Sequence, residues 1–263
     1  MVDTTYHVPG APGFALLSDL HNHPFGHVLS SLSSHAPSLI LIAGDVINGS
    51  IPEEVSLLVE EQKNVLPFLS TCSSLAPTFL SLGNHEQLLC DEDLQLIAAT
   101  GVTVLDNRWE RFTADGKVIV IGGLTSGYVT DYRAFRAAVG GRYPKKENLT
   151  GIRGAVTAVE HKPDVSWLPN FATQPGYKVC LCHHPEYFPL IPDSVELVCS
   201  GHAHGGQIRV FNHGLWCPGQ GFWPKYTRGV YEENRLVVST GLSNTTWVPR
   251  IFNPPEVIYV SGN

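Results

Sequence analysis

Short apolar runs alternate along the chain with amphipathic or polar stretches, and the runs are too brief and too β-rich to be helices. GFALLSD (13–19), SLILIAGD (38–45), APTFLSLGN (76–84), KVIVIGG (117–123), YKVCLCHH (177–184) and SVELVCSGH (194–202) are mostly apolar until polar or glycine residues end them. Continuous rather than alternating hydrophobicity predicts strands covered on both faces. IPEEVSLLVEEQKNVLPFLSTC (51–72) places Pro52 and acidic residues where a helix N-terminus favours them, predicting a helix interrupted at Pro67. DEDLQLIAATG (91–101) predicts a second helix, closed by a glycine suited to a left-handed cap. GQIRVF, LWCPG, GVYEENRLVVSTG and EVIYVSG predict an antiparallel finish with a turn at Glu233–Asn234. This order implies an α/β fold that becomes sheet-rich, its sheets packed face to face between helices.

Composition narrows the class. The 263 residues, 43% apolar and 16% charged, suit one globular domain over 1–263, with an insertion around 126–170. No apolar run approaches the ~20 residues of a membrane helix, and MVDTTYHVPGAPG carries no basic residue before its first apolar stretch. The expectation is a soluble, cytoplasmic protein without a membrane span. Six cysteines (72, 90, 180, 182, 199, 217) form no CxxC pair and read as reduced. The net charge of -7 argues against a nucleic-acid partner. Seven of the 17 basic residues, Arg133, Arg136, Arg142, Lys145, Lys146, Arg153 and Lys162, nonetheless fall within 126–162. They read as a solvated face or as an attractive rim for an anionic substrate. Trp109, Trp167, Trp216, Trp223 and Trp247 read as core or edge packing.

Candidate chemistry collects where the runs end. The strand tips deliver Asp19 and His21, Asp45, Asn84 with His85, His183 with His184, and His202 with His204. Open α/β sheets place their ligand crevice at such ends. In extended backbone, residues i and i+2 point the same way, so His202 and His204 are expected to face one site with Ala203 turned away. Asp19 and His21 are expected to do the same, with Leu20 in the core.

In this order, Asp19-Leu20-His21, Gly44-Asp45-Val46-Ile47-Asn48, Gly83-Asn84-His85-Glu86, His183 and Gly201-His202-Ala203-His204 resemble the motifs of the calcineurin-like metallophosphoesterases. Phe25-Gly26, the GHxHGGQ stretch and RxxNPPE (Arg250 to Glu256) are similar to a bacterial branch containing small stand-alone phosphodiesterases. The resemblance implies a four-layer α/β/β/α sandwich of two mixed sheets flanked by helices. It further implies two divalent ions, Mn²⁺ first with Fe or Zn²⁺ as alternatives, which agrees with a donor set of hard oxygens and imidazoles. By the same resemblance, Asp19, His21 and His204 hold one ion, Asn84, His183 and His202 hold the other, and Asp45 bridges them. A hydroxide between the ions attacks a phosphodiester or phosphomonoester of a small substrate, and His85 protonates the leaving oxygen. His23, His184 and Arg228 are candidate substrate contacts, with Gln207 and His27 behind them, and Asn48 reads as a turn residue. Two other readings exist. A metal-free protein-binding scaffold of this fold is opposed by the complete ligand set; an amidohydrolase-like enzyme is opposed by the late HxH and by the lack of eight βα units.

Overall fold

Both faces of the central strands are covered, which explains their unbroken hydrophobicity. The computed structural model describes residues 1–48, 57, 62–86, 89, 91–114, 116–126, 163–218, 220–244 and 248–262. In chain order the first strands are β1 (Val2–His7), β2 (Phe14–Leu17), β3 (Ile40–Ile42), β4 (Thr78–Ser81) and β5 (Thr103–Leu105). Next come β6 (Arg108–Ala114), β7 (Lys117–Leu124), β8 (Tyr177–Cys182) and β9 (Leu197–Ser200). Two small ribbons follow, β10 (Arg209–Val210) with β11 (His213–Gly214), and β12 (Trp216–Cys217) with β13 (Gly221–Phe222). The chain closes with β14 (Gly229–Tyr231), β15 (Leu236–Val238) and β16 (Glu256–Ser261). The helices are α1 (Gly26–His35), α2 (Val65–Leu75), α3 (Asp91–Ala99) and the short α4 (Leu168–Ala172).

Two six-stranded mixed sheets result, ordered β1-β16-β2-β3-β4-β5 and β14-β15-β9-β8-β7-β6. Their facing sides interleave Phe14, Leu16, Leu41, Phe79 and Ile258 with Ile119, Ile121, Val179, Leu181 and Val237. The alternate residues Ala15, Leu17, Ile40, Ile42 and Leu80 turn outward onto Val28 and Leu32 of α1 and onto Phe68 and Leu69 of α2. On the far side, Val120, Cys180, Val198 and Val238 pack against Leu168 and Phe171 of α4. This is the expected four-layer α/β/β/α sandwich, and period-two alternation assigns each strand residue to one of its two cores.

Four elements differ from the sequence reading. Helix α2 begins at Val65, so Pro67 lies in its first turn, where its missing N–H needs no partner, and does not interrupt it. Helix α1, GHVLSSLSSH, is serine-rich and among its residues buries only Val28, Ser31 and Leu32, too thin an apolar stripe to register as periodic. Strands β1 and β6 are sheet edges with mixed burial. Helix α3 ends as expected, with Gly101 at φ 89 just beyond it. Cys72, Cys180, Cys182, Cys199 and Cys217 are buried and free. Most of the expected insertion, including all seven clustered basic residues, falls in 127–162 outside the described residues, and Cys90 and Trp247 also lie outside them. Trp223 is 67% exposed, which corrects its expected packing at a core or edge.

Candidate metal centre

The carboxyl ends of β2, β3 and β4, parallel in one sheet, meet those of β8 and β9, parallel in the other. Backbone bonds knit the tips together: Asp19 N–H donates to Gly44 O (3.0 Å), His21 N–H to Asp45 O (3.0 Å) and Gly201 N–H to His183 O (3.1 Å). The tips are not extended, which corrects the expected i, i+2 geometry. Asp19, His21, Asp45, His202 and His204 all occupy left-handed backbone, with φ of 54, 46, 56, 64 and 45. Each such residue costs about 1–3 kcal/mol, and strain of this kind persists where the surroundings fix it. Leu20 and Ala203 are buried in the core, but tight turns put them there. His202 and His204 consequently face two neighbouring groups rather than one.

Those groups are Asp19–His21–His204 and Asp45–His183–His202, with a third, His21–Asp45–His85, overlapping both; in each, the ligand-type atoms lie within 4.8 Å of one another. His204 Nε2 is 3.5 Å and His21 Nε2 3.7 Å from Asp19 Oδ1. His183 Nε2 is 2.9 Å and His21 Nε2 3.8 Å from Asp45 Oδ2. The space is made by glycine: a Cβ on Gly83 would stand 2.2 Å from Asp45 Oδ1, and one on Gly201 2.5 Å from Asp19 Oδ2.

Hydrogen bonding prepares this set for cations. His183 Nδ1 donates to Ala43 O (2.6 Å) and His21 Nδ1 to Ile47 O (3.2 Å); because a carbonyl can only accept, Nε2 carries the lone pair in the neutral rings. His21 Nε2 and Asn84 Oδ1 are buried without a hydrogen-bond partner, and buried His183 Nε2 meets Asp45 Oδ2 at 2.9 Å. Electron-rich atoms therefore gather around two carboxylates, an arrangement that divalent cations satisfy.

The electrostatics agree. Burial alone would raise Asp19 and Asp45, yet the surrounding imidazoles, His204 foremost for Asp19 and His183 for Asp45, hold both carboxyls well below the usual range. Burial, reinforced by His184 and His183, depresses His202 strongly. Burial also lowers His204 to about 4 against the pull of Asp19, keeping its ring neutral at pH 7. With protons as the only cations, His183 goes the other way: burial opposes protonation, but the Asp45 and Asp19 charges prevail and raise it to about 10.

The strongest support for the site comes from a residue whose role the motif alone does not reveal. Glu86, fully buried, accepts four backbone bonds, from Asp45 N (2.8 Å) and Gly83 N (2.7 Å) at Oε2 and from Val46 N (2.7 Å) and Ile47 N (3.3 Å) at Oε1. One side chain thus ties the Asp45 turn to the turn carrying Asn84. Burial, then the charge of Asp45, raises Glu86 to about 7, while these N–H groups and His183 pull it down.

The remaining candidates are distributed unevenly. His85 sits at the mouth, its side chain 22% exposed, with Nε2 3.9 Å from Asp45 Oδ2 and its ring edge-on to His21 at 4.7 Å. His23 is exposed beside this group and is lowered by burial and by the charge of His21. His184 lies buried behind His202, ring centroids 3.9 Å apart, and its Nδ1 meets Glu186 Oε1 at 3.1 Å. Arg228 is engaged elsewhere, with Glu256 (3.0 Å) and Thr4 (3.4 Å). Gln207 is buried and both its amide atoms lack a partner. Arg250, absent from the candidate ligands, puts Nη2 2.9 Å from His204 Nδ1.

A family model described as calcineurin-like phosphoesterase matches residues 13–206. The chain belongs to that family. The chain is similar to YpbG of Bacillus subtilis, 24% identical over 93% of this chain and 78% of the relative. Another relative is the metallophosphoesterase Cj0846 of Campylobacter jejuni, 27% identical over 92% of this chain and 55% of the relative. The Escherichia coli phosphodiesterase YaeI is 30% identical over 74% of this chain and 61% of the relative. The alignment with Cj0846 thus takes in little more than half of that relative's length. Membership in a metal-dependent phosphoesterase family accounts for the buried acid and imidazole cluster. No helix among the described residues is long and apolar enough to cross a membrane.

Proposed function

We propose that this chain hydrolyses phosphate esters, diesters among them, at a dinuclear centre held by Asp19, His21 and His204 on one side, Asn84, His183 and His202 on the other, and Asp45 between. One observation carries the reading: the ligand-type atoms of Asp19, His21 and His204 and those of Asp45, His183 and His202 lie within 4.8 Å of one another in two adjoining groups, around carboxyls held well below the usual range. Divalent cations in such a centre neutralise phosphoryl charge and acidify water. Mn²⁺ suits the mixed oxygen and imidazole donors, with Fe or Zn²⁺ as alternatives. The chain's own work is positional. The Ala43 and Ile47 carbonyls fix the two imidazoles by their Nδ1 protons, and Glu86 fixes the Asp45 turn. His85, partly open to solvent beside Asp45, is the residue placed to give a proton to a departing oxygen. The name of YaeI, a phosphodiesterase, supports including diesters.

The test pairs wild type with Asp45→Asn on bis-p-nitrophenyl phosphate and p-nitrophenyl phosphate with added Mn²⁺, alongside elemental analysis. Asp45→Asn should lose bound metal and at least about 10²-fold in turnover. Equal rates at saturating metal would defeat the proposal.

A further inference from the structure

We propose that Arg250 is a latch on His204: it lets go of that imidazole when His204 holds a cation, and the freed guanidinium then takes the substrate's phosphoryl group. This rests on the dinuclear centre proposed above and adds a residue to it. A guanidinium has only N–H donors. Arg250 Nη2 stands 2.9 Å from His204 Nδ1 and also donates to Ser243 O. Nδ1 is therefore the acceptor, and in the neutral ring the proton sits on Nε2, the nitrogen 3.5 Å from Asp19 Oδ1. His183 and His21 are set the other way, with Nδ1–H on the Ala43 and Ile47 carbonyls and the lone pair on Nε2. Neither nitrogen of His204 is open to a cation in this arrangement. Ligation through Nε2 moves the ring proton to Nδ1, where it would point at an arginine N–H; ligation through Nδ1 needs the space that Nη2 fills. Both routes require Arg250 to withdraw.

Local bonds keep the withdrawn arginine near the centre. Ile251 N–H donates to Gln207 O (3.2 Å) and Arg209 N–H to Ile251 O (3.0 Å), while Asn253 Nδ2 donates to His204 O (2.7 Å) and Gln207 O (3.1 Å). The residues after Arg250 are thus clamped to the turn that carries His204, and the guanidinium is the part left to swing. Ser243 is fixed as well, since its Oγ donates to Asp19 O (2.9 Å). Its carbonyl, which shares Nη2 with the His204 ring, is left as the acceptor for Nδ1–H once the arginine turns away, the counterpart of the Ala43 and Ile47 carbonyls.

Charge selects what the freed guanidinium takes. Arg250 Nε and Nη1 are buried and have no hydrogen-bond partner. The carboxylates whose charges reach Arg250, Asp19 and Glu256, are already engaged. Asp19 accepts His202 N–H and belongs to the centre; Glu256 pairs with Arg228 at 3.0 Å and accepts from Thr4 Oγ1 and Thr240 N–H. Residues 239–255 contain no Asp or Glu. A buried cation with unmet donors and no carboxylate of its own calls for an anion from outside the chain. At a phosphoesterase centre that anion is the phosphoryl group, whose paired oxygens match the planar guanidinium fork. Cation loading and substrate binding would thereby be joined through one side chain.

Crystal structures of the full chain grown in EDTA, and in Mn²⁺ with inorganic phosphate, read the contact without any substitution. In EDTA, Nη2 should rest on His204 Nδ1; with Mn²⁺ and phosphate it should leave that atom, and the guanidinium should bond a phosphate oxygen. Isothermal titration then compares wild type with Arg250→Gln, with circular dichroism as the folding control. Lacking the latch, Arg250→Gln should bind Mn²⁺ at least about threefold more tightly, and once loaded should bind inorganic phosphate at least about tenfold more weakly. An arginine that only supports the fold would weaken both. Nη2 still on His204 Nδ1 with Mn²⁺ bound, a guanidinium clear of the phosphate, or Arg250→Gln with weakened Mn²⁺ binding or unchanged phosphate binding would each overturn the proposal and leave the dinuclear centre standing. Wild type that takes up no Mn²⁺ would instead overturn the centre, and the latch with it.

Discussion

The cation-free protein should lose stability in alkali and the cation-loaded protein should not, and His183 sets the difference. Its folded pKa, about 10, lies above the ordinary histidine value because buried Asp45 and Asp19 favour the imidazolium despite desolvation. Stability from that attraction is complete below pH ~6.5 and is lost as pH rises through 10. At ~1.4 kcal/mol per pH unit, the interval corresponds to roughly 5 kcal/mol, a large part of the 5–15 kcal/mol typical of a folded protein. The depressed Asp45 reports the same attraction from the other partner and is not counted twice. His204 works in the opposite direction: burial lowers it to about 4, so below pH ~6.5 the unfolded chain binds a proton that the native chain does not, and stability falls towards pH 4. Glu86, raised to about 7, opposes that acid limb by losing stability as pH rises between 4.5 and 7, while strongly depressed His202 adds to it, so metal-free protein should be most stable at pH ~6.5. Divalent cations require His183 without its Nε2 proton, so loading them should abolish the alkaline decline while leaving an acid one. Melting temperature between pH 4 and 10, in EDTA and in Mn²⁺, measures both limbs. A profile in EDTA that is flat from pH 6.5 to 9, or an alkaline decline that survives saturating metal, would refute the reasoning.

Other consequences follow from single residues. Glu86→Ala strips four buried N–H groups of their acceptor and should lower the melting temperature in EDTA by more than about 5 °C while weakening metal retention; an unchanged melt would mean that the Asp45 turn holds itself. His85→Ala should keep its metal content by elemental analysis but lose about 10²–10⁴-fold in turnover, and an emptied centre would make His85 a ligand instead. Gly201→Ala, whose Cβ would press on Asp19 Oδ2, should reduce metal affinity more than it reduces folding stability, which isothermal titration and denaturant melts separate.

The fold and the site were legible to different depths, for physical reasons. Strands buried on both faces leave continuous apolar runs, so all six central strands lay open in the sequence, as did the polar tips that carry Asp19, Asp45, Asn84, His183 and His202. Helix α1 did not, because its two apolar contacts are diluted among serines. The GQIRVF run was expected to continue as a strand through Phe211, but the strand ends at Val210 because Phe211–Asn212 make a left-handed turn without the glycine that would announce it.

The same limitation explains the centre itself. A period-two rule predicts convergence of His202 with His204 from extended backbone, yet left-handed φ at five of the seven candidate ligands does the converging, and Asp and His, though they enter that region more readily than most residues, do not announce it as glycine would. What sustains those conformations is spread across the chain: the Glu86 carboxylate on four backbone N–H groups, Ser243 Oγ on Asp19 O (2.9 Å), and the Asp19 carboxylate on His202 N. Strain at each tip is of the order of one hydrogen bond to a charged group. The tips can therefore hold their positions only while these long-range bonds remain intact, so the centre should lose its form as a unit when Glu86 or Asp19 is removed.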